Sequence, residues 1–549
     1  MELKKNFLLN SIKEYFISPL SRWRYSRREY NHLKRLIKSY DRKNLFNCTV
    51  VINLVRNFRN SLDCELFLGL KLALNGAKVI VLLDDGIMKH WDTTQSYFIP
   101  KLEKLHKYKI NPYRIINIYE RILSFRLLAT ILNRHIRKKG LRIYKTDKIE
   151  YIFYSDIFKK QKIDYSNLKD LKKHAKSSTI RFFQTSELDF NLNYVKYFYN
   201  LSLKNAVLSR TVANFIADEI KPDFCINAHG IYSTHGPAYE QLKKRGIKSL
   251  VWAGPNLHST SVINVLFPDT IVQSLTKSNY WKSYKNVPVT DEMKQKVKEF
   301  FKQRTHGGGA DISYYKLMDM NKKLDLKDEN DYEYKIALFS HLIWDGNIGD
   351  RHIAFDGFID WLISTIKFVR QNKNIKLYIK PHPYEKKMRD PKNKIHNILK
   401  NYFNFNEIEN IEFILPELNI NTYDFIKNSI DLGIVYDGFL GLELPYFGIP
   451  TITCALEGFS SIEDGNITVK SKDEYFSYLS NLTETIGNFK NNYQKILENI
   501  IRYIYWYVFK ITVKLPTLKY GNIGLLHLKE EDLFLTDEII QVFNKFTSD

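Results

Sequence analysis

Apolar runs of strand length alternate with helix-length amphipathic stretches in two separate parts of this chain, and polar loops punctuate both. In the first part, residues 49–55 form a β-branched apolar run that reads as a buried strand. Ser61 can cap a following helix whose Leu62, Leu66, Leu70 and Ala73 share one face, and Asn75-Gly76 ends it. Residues 78–83 are a second strand, stopped by Asp84-Asp85-Gly86. Strand, helix and strand in that order predict a βαβ unit, hence a parallel sheet with a right-handed crossover. Residues 113–118 are a candidate third strand, and 120–220 read as mainly helical with basic faces. Strand character returns at 223–227, before the polar loop Ala228-His229-Gly230-Ile231-Tyr232-Ser233-Thr234-His235-Gly236, a helix over 237–244 and a strand over 249–252. An apolar run at 261–267 completes this part.

The second part repeats the pattern. Residues 335–339 are a strand ending in Ser340-His341-Leu342-Ile343-Trp344-Asp345. A helix over 352–370 follows, with Phe355, Phe358, Ile359, Leu362 and Ile366 as its apolar stripe. The next strand, 375–379, breaks into Lys380-Pro381-His382-Pro383. Strands at 411–415, 431–435 and 450–453 complete the set, with helices over 422–427 and up to Phe447. Between the parts, 285–332 reads as a connector, and its His306-Gly307-Gly308-Gly309 follows no strand, so a hinge is expected rather than a phosphate loop. The aromatic run 500–510, interrupted by Arg502, is expected to pack on the body; a membrane interface is its alternative. The expected division is a basic helical extension (1–45), a first α/β domain with a helical insertion (46–285), a linker (286–332), a second α/β domain (333–480) and C-terminal helices (481–549).

Composition narrows what these domains can be. The 549 residues exceed what a single core supports. A chain with 44% hydrophobic and 26% charged residues is globular rather than disordered. Its net charge of +23 calls for an acidic partner: nucleic acid, an anionic membrane face or a phosphorylated substrate. Cys48, Cys64, Cys225 and Cys454 are widely spaced, which fits buried thiols in a reducing compartment. The basic start of the chain carries too short an apolar run for a signal peptide, and no segment has the uninterrupted apolar length of a span. A cytoplasmic protein, soluble or peripheral on the inner face of the membrane, is expected. Within 1–45, cations interleave with aromatics, as in Arg22-Trp23-Arg24-Tyr25, which suits an anionic lipid surface and equally a nucleic-acid backbone; a solvated basic helix is the plain alternative. No recognisable RNA-binding motif organises the rest, so nucleic acid is not the expected partner.

The chemistry gathers at loops that end strands, where open α/β sheets bind ligands. Prolines on both sides of His382 remove backbone donors and hold Lys380 and His382 stiffly at a strand end, suited to a phosphate. Ser340, His341 and Asp345 offer polar contacts nearby in the same domain. Tyr436-Asp437-Gly438-Phe439-Leu440-Gly441-Leu442-Glu443 places a glycine-bearing turn at a helix start, where amides favour an anion, and Glu443 could accept from ribose hydroxyls. No His, Cys and carboxylate cluster has ligand spacing, so neither metal nor cofactor is expected.

The order strand-Lys-Pro-His-Pro, strand-Tyr-x-Gly-x-x-Gly-x-Glu, then Phe447-Gly448-Ile449-Pro450-Thr451-Ile452 resembles the C-terminal half of bacterial surface-polysaccharide glycosyltransferases of GT-B architecture. It is most similar to capsule polysaccharide biosynthesis proteins, a group that includes Kdo transferases. It also resembles bacterial sialyltransferases and CDP-glycerol glycerophosphotransferases in the His-Pro motif. The likeness covers about 334–455 and is looser over 48–267. It implies an α/β fold of two Rossmann-like, doubly wound domains facing a cleft, with helical N- and C-terminal extensions. It further implies a metal-independent, inverting transferase using a nucleotide-sugar donor, CMP-linked as one candidate, and a glycan or lipid-linked glycan acceptor. His382 would contact the donor phosphate, and Asp84-Asp85-Gly86 is the candidate base motif, with an ordinary strand-end turn as its alternative. His229 competes for the base, since histidine starts closer to a working pKa; Tyr232, Ser233 and His235 beside it are candidate acceptor contacts. Transfer of a polyol phosphate at the same site is the alternative chemistry.

Overall fold

Strands that are apolar on both sides need cover on both faces, and this chain provides it twice. β1 (Thr49–Leu54), β2 (Lys78–Leu83), β3 (Ile149–Phe153), β4 (Phe224–Ala228) and β5 (Lys248–Trp252) form one sheet in the order β3-β2-β1-β4-β5, every pair parallel. Val50, Ile52 and Leu54 join one core with the helix α1 (Arg27–Ser39) and the crossover helix α2 (Arg59–Leu74). Val51, Ile80 and Leu82 face the other way, against residues of α3 (Tyr154–Lys160), α4's neighbour α5 (Asn193–Phe215) and α6 (Gly236–Lys244); α4 itself is Lys169–Phe183. This two-sided burial is what a continuous apolar strand signals in a parallel sheet.

In the computed structural model of the chain, the residues described are 27–55, 59–85, 87–88, 144, 146–252, 263–266, 270–305, 319, 321–324, 332–346, 352–388, 391–455, 458, 460–515, 518–519, 522–523, 525–535 and 540. The expected strand at 113–118, the glycine triplet after His306, Gly86 and the first 26 residues lie outside them.

The second sheet comprises β7 (Tyr334–Phe339), β8 (Ile375–Lys380), β9 (Ile411–Phe413), β10 (Leu432–Val435), β11 (Thr451–Thr453) and β12 (Ile467–Thr468). Its order is β12-β11-β10-β7-β8-β9, again parallel throughout. Counted from its own first strand, this is the same doubly wound order as the first sheet. The fold is therefore two Rossmann-type domains, the arrangement of GT-B enzymes. In each, the strand order reverses at one point: between β1 and β4, and between β7 and β10. Ligands of open α/β sheets bind outside the carboxyl ends of the strands at that reversal.

Several expectations change in the structure. The third strand of the first sheet is β3, which lies inside the stretch 120–220 that reads as mainly helical. β6 (Ile263–Leu266) does not extend that sheet; it pairs antiparallel with β13 (Thr512–Leu515). The C-terminal stretch is thus not all helix, and Leu525, Leu528, Leu533 and Leu535 return to the first core. Ser61 lies inside α2 rather than capping it. The helix expected from His352 begins at Phe358, after Gly357, whose φ of 142° a side chain would strain. The aromatic run is buried: Tyr503, Ile504, Trp506 and Tyr507 pack with Trp281 and with Val297, Phe300 and Phe301 of the connector helix α7 (Asp291–Thr305). That burial removes its membrane-interface alternative. No helix among the described residues is long and apolar enough to cross a membrane.

Candidate functional site

The carboxyl ends of β7 and β8 carry the site. Ser340 follows β7, and its N–H donates to the Lys380 carbonyl at 3.1 Å, so the two residues sit side by side where their strands end. Both are only 6% exposed. Among the described residues, Ser340 Oγ has no hydrogen-bond partner and Lys380 Nζ forms neither hydrogen bond nor ion pair. A buried ammonium without a counter-charge loses solvation that nothing replaces. Burial, with Lys386 nearby, accordingly lowers the Lys380 pKa to about 8.

His382 stands next along the chain. The Tyr384 N–H donates to its Nδ1 at 3.1 Å, capping the short turn that Pro383 begins. Burial, then His341 and Lys380, lower its pKa to about 3 against the opposing Asp345. The ring is therefore neutral at physiological pH, with Nδ1 accepting and the proton on Nε2, a hydrogen-bond donor. His341 Nε2 bonds the Asp345 carbonyl at 3.1 Å and its ring leans on Phe358.

Asp345 joins this group to the first domain. Its Oδ1 accepts from Tyr232 Oη at 2.8 Å and pairs with Arg181 Nη1 at 2.9 Å. Arg181 lies 4.4 Å above the Tyr232 ring and also donates to its hydroxyl, and the Gly346 N–H donates to Tyr232 Oη at 3.2 Å. Burial would raise the Asp345 pKa, but Arg181, His341, the Tyr232 hydroxyl and His382 together lower it. The loops that end β4 and β7 therefore touch, so the carboxyl ends of both sheets meet here. Of the expected donor-side residues, the structure brings Lys380, His382, Ser340, His341 and Asp345 together, with Tyr232 from the opposite domain.

Other expected contacts have different uses. Tyr436 is fully buried, bonded to His352 Nδ1 at 2.6 Å and packed on Phe358 and Trp361. The Gly438 amide is turned to Asp437 Oδ1 at 2.9 Å and Ser460 Oγ at 3.3 Å, and its φ of 133° is what requires glycine. Gly441 donates to the Gly438 carbonyl, and a Cβ there would stand 2.5 Å from Ser460 Cβ, so this glycine serves close packing. Glu443, 2% exposed, is held by Arg304 Nε at 2.8 Å and the Tyr423 hydroxyl at 2.7 Å. Arg304 also stacks on Phe439 at 4.3 Å, so α7 clamps the loop after β10. Gly438, Gly441 and Glu443, expected as phosphate and ribose contacts, build that loop.

Across the cleft, Asp84 accepts from the Ile87 and Met88 amides at 2.9 and 3.1 Å, the bonding of a strand-end turn. Asp85 accepts from the Ser155 N–H at 3.0 Å and its hydroxyl at 2.5 Å, at the start of α3. Both carboxylates are buried and engaged. His229 instead lies at the β1/β4 reversal with a φ of 53°, its ring 6.0 Å from that of Trp252, whose Nε1 donates to buried Glu65 at 2.5 Å. Strained non-glycine backbone gathers at functional sites. Ser233 exchanges hydrogen bonds with Ser178, and His235 is wholly buried at the start of α6. Tyr232 thus faces Asp345 while Ser233 and His235 face the helices behind.

Arg181, Arg304, Trp252 and Glu65 escaped the sequence reading. Each has a partner more than 130 residues away, as with Arg304 and Glu443 (139 apart) or Trp252 and Glu65 (187 apart), so no local motif signals that contact. Among the described residues no group of three or more His, Cys, Asp or Glu could hold a metal ion.

No protein-family model matches the chain, and no curated protein matches it. Solved structures similar to it include the KpsC beta Kdo 2,4 transferase of Thermosulfurimonas dismutans, 14% identical with a TM-score of 0.33, covering 45% of this chain and 74% of that one. S. aureus MnaA with UDP is 12% identical with a TM-score of 0.28, covering 84% and 97%. The UDP-GlcNAc 2-epimerase of Methanocaldococcus jannaschii, in complex with UDP-GlcNAc and UDP, is 11% identical with a TM-score of 0.27, covering 79% and 92%. At these values the neighbours add no inference about activity, and the strand order carries the fold.

Proposed function

We propose that the chain is a glycosyltransferase that moves a sugar from a nucleotide-activated donor to a glycan or lipid-linked glycan acceptor. The observation that carries this reading is Lys380: a buried cation without a counter-charge among the described residues, beside the strand reversal of the second sheet, with the Ser340 hydroxyl next to it. The donor phosphate supplies the missing anion. Lys380 and the Nε2–H of His382 stabilise the charge that grows on it as the glycosidic bond breaks, which preorganised donors do without reorganising. The acceptor lies against the first domain. His229, at the β1/β4 reversal, takes the proton from its attacking hydroxyl, since histidine starts closer to a working pKa than a carboxylate does. The oxygen attacks the anomeric carbon as the nucleotide leaves, inverting that centre. The His-Pro resemblance supports the same reading.

The test is a thermal-shift screen of the purified chain against CMP, CDP, UDP and GDP, followed by mass spectrometry of transfer products. One nucleotide should stabilise the protein, and its sugar conjugate should add one sugar residue to an acceptor. A product that gains a phosphodiester instead makes the chain a polyol-phosphate transferase. Full transfer activity in His382→Ala would sink the mechanism, and no response to any nucleotide would sink the reading.

A further inference from the structure

We propose that the outer face of α1 docks the protein onto an anionic lipid surface. α1 turns one side inward. Leu33 is fully buried in the first core, Glu29 Oε1 accepts from the Leu525 N–H at 3.3 Å, and His32 Nε2 bonds the Leu528 carbonyl at 2.8 Å. With the helix's own carboxylate taken inside, the outward residues are Arg28, Asn31, Lys34, Arg35 and Lys38. Together with His32 and Leu526 they line an open groove of about 690 Å³ that contains no acidic residue.

Several surface cations elsewhere are paired with carboxylates. Lys244 pairs with Asp170, Lys296 with Glu292 and Lys394 with Glu417. Arg28, Arg35 and Lys38 form no ion pair with any described residue, and Lys34 only lies over the Tyr30 ring, 5.9 Å away. Exposed Glu530 and Glu531 follow in the adjoining segment, outside the groove lining. Four cations on one helix face, with no counter-charge among the described residues, call for a polyanion.

Leu526 decides between polyanions. It is 53% exposed among those cations, and an aliphatic side chain so placed can enter the boundary between headgroups and acyl chains. Nucleic-acid strands are held instead by exposed rings on which bases stack. Of the nearby rings, Tyr30 is half-buried, Tyr40 is buried, and Phe534, exposed, packs on the Tyr40 ring at 5.3 Å outside the groove lining.

The test is co-sedimentation of the full chain with vesicles of phosphatidylcholine alone or mixed with phosphatidylglycerol. Binding should require phosphatidylglycerol and weaken as salt rises. Arg28→Gln, Arg35→Gln and Lys38→Gln combined should lower partitioning on the order of a hundredfold, about fivefold per cation, at unchanged melting temperature and unchanged transfer to a soluble acceptor. Leu526→Ser should weaken vesicle binding and leave its salt dependence as it was. Failure to bind phosphatidylglycerol vesicles, or equal binding by the triple variant, overturns the proposal. So does single-stranded RNA binding that the triple variant loses while vesicles are ignored, which would make nucleic acid the occupant. Nucleotide-sugar transfer is read separately and stands or falls apart from this result.

Discussion

The two sheets share one strand order, yet their crevices differ in kind. At the carboxyl ends of β1, β2 and β4 several polar side chains are hydrogen-bonded to one another or to backbone. Tyr154 donates to Asn53 Oδ1, Asn53 Nδ2 donates to Asn227 Oδ1 at 3.1 Å, and Asp84 and Asp85 are taken up by amides and Ser155. At the carboxyl ends of β7 and β8, Ser340 Oγ and Lys380 Nζ are buried and open among the described residues. A closed buried network stabilises the fold that holds it, whereas a lone buried cation destabilises it. On the proposed function this difference would divide the roles, with an anionic donor supplying the counter-charge that Lys380 lacks among the described residues.

Lys380→Met breaks the comparison most directly. Removing one preorganised donor to a developing anion should lower kcat about 10²–10³-fold. The same change deletes the buried charge that burial disfavours, so the melting temperature should rise, the stability gain being at most a few kcal/mol. Activity and melting curves on one preparation decide it. A variant that melts lower and still binds nucleotide would show that Lys380 is structural.

The first crevice should respond with the opposite sign. Asn53→Ala leaves Tyr154 Oη and the Asn227 carbonyl oxygen short of a buried partner, costing about 1–3 kcal/mol. Urea unfolding measures the loss, with nucleotide affinity expected to hold. If Asn53→Ala leaves stability unchanged and abolishes transfer instead, the network belongs to the site and the contrast fails.

What the sequence made legible follows the range of the forces involved. Period, turn residues and the proline-flanked His382 are local, and they located both sheets and the Lys380–His382 corner. β3 was missed because Ile149-Glu150-Tyr151-Ile152-Phe153 is a short edge strand after a polar turn, with Glu150 exposed and Tyr151 and Ile152 half-buried. Its signal was the β-branched and aromatic cluster itself, read as part of a helical region. The run at 261–267 gave no sign of its pairing because its partner, β13, lies some 250 residues on. Gly441 and Glu443 looked like a phosphate turn with a ribose acceptor because their chemistry fits one. Only the close approach of Ser460 and the arrival of Arg304 from α7 give them another task.

A smaller effect sharpens the comparison through pH. With its pKa held at about 8 by burial first and Lys386 second, Lys380 is charged below pH 8 and loses its proton above it. Donor KM should be flat below about pH 8 and rise toward tenfold per unit above it, and Lys380→Arg, which stays charged, should erase the break. Stability moves the other way. The lysine pKa is lower folded than unfolded, so between about 8 and its ordinary value of 10.5 the unfolded chain binds the extra proton and stability rises with pH. Glu385, raised to about 8 by burial, has the reverse sign, losing stability as pH rises from the ordinary carboxylate range to 8, and Glu385→Gln separates the two.

The smallest effect concerns the place where the crevices touch. Arg181 and Asp345 keep 21% and 42% of their side chains exposed, so solvent screens the pair and its charge alone is worth little. The contact gains from geometry instead: the guanidinium lies over the Tyr232 ring while Tyr232 Oη and Arg181 Nη1 converge on one carboxylate oxygen. Arg181→Lys keeps the charge and loses the stacking plane, for an expected cost of about 0.5–1 kcal/mol. A double-mutant cycle with Asp345→Asn should return a coupling of about 0.5 kcal/mol or more, measured by thermal unfolding without nucleotide. Bound donor brings its own negative charge to His382, a neighbour of Asp345, so the coupling should change when nucleotide is present. Zero coupling in both states would mean that the domains meet without this contact, leaving the two crevices independent.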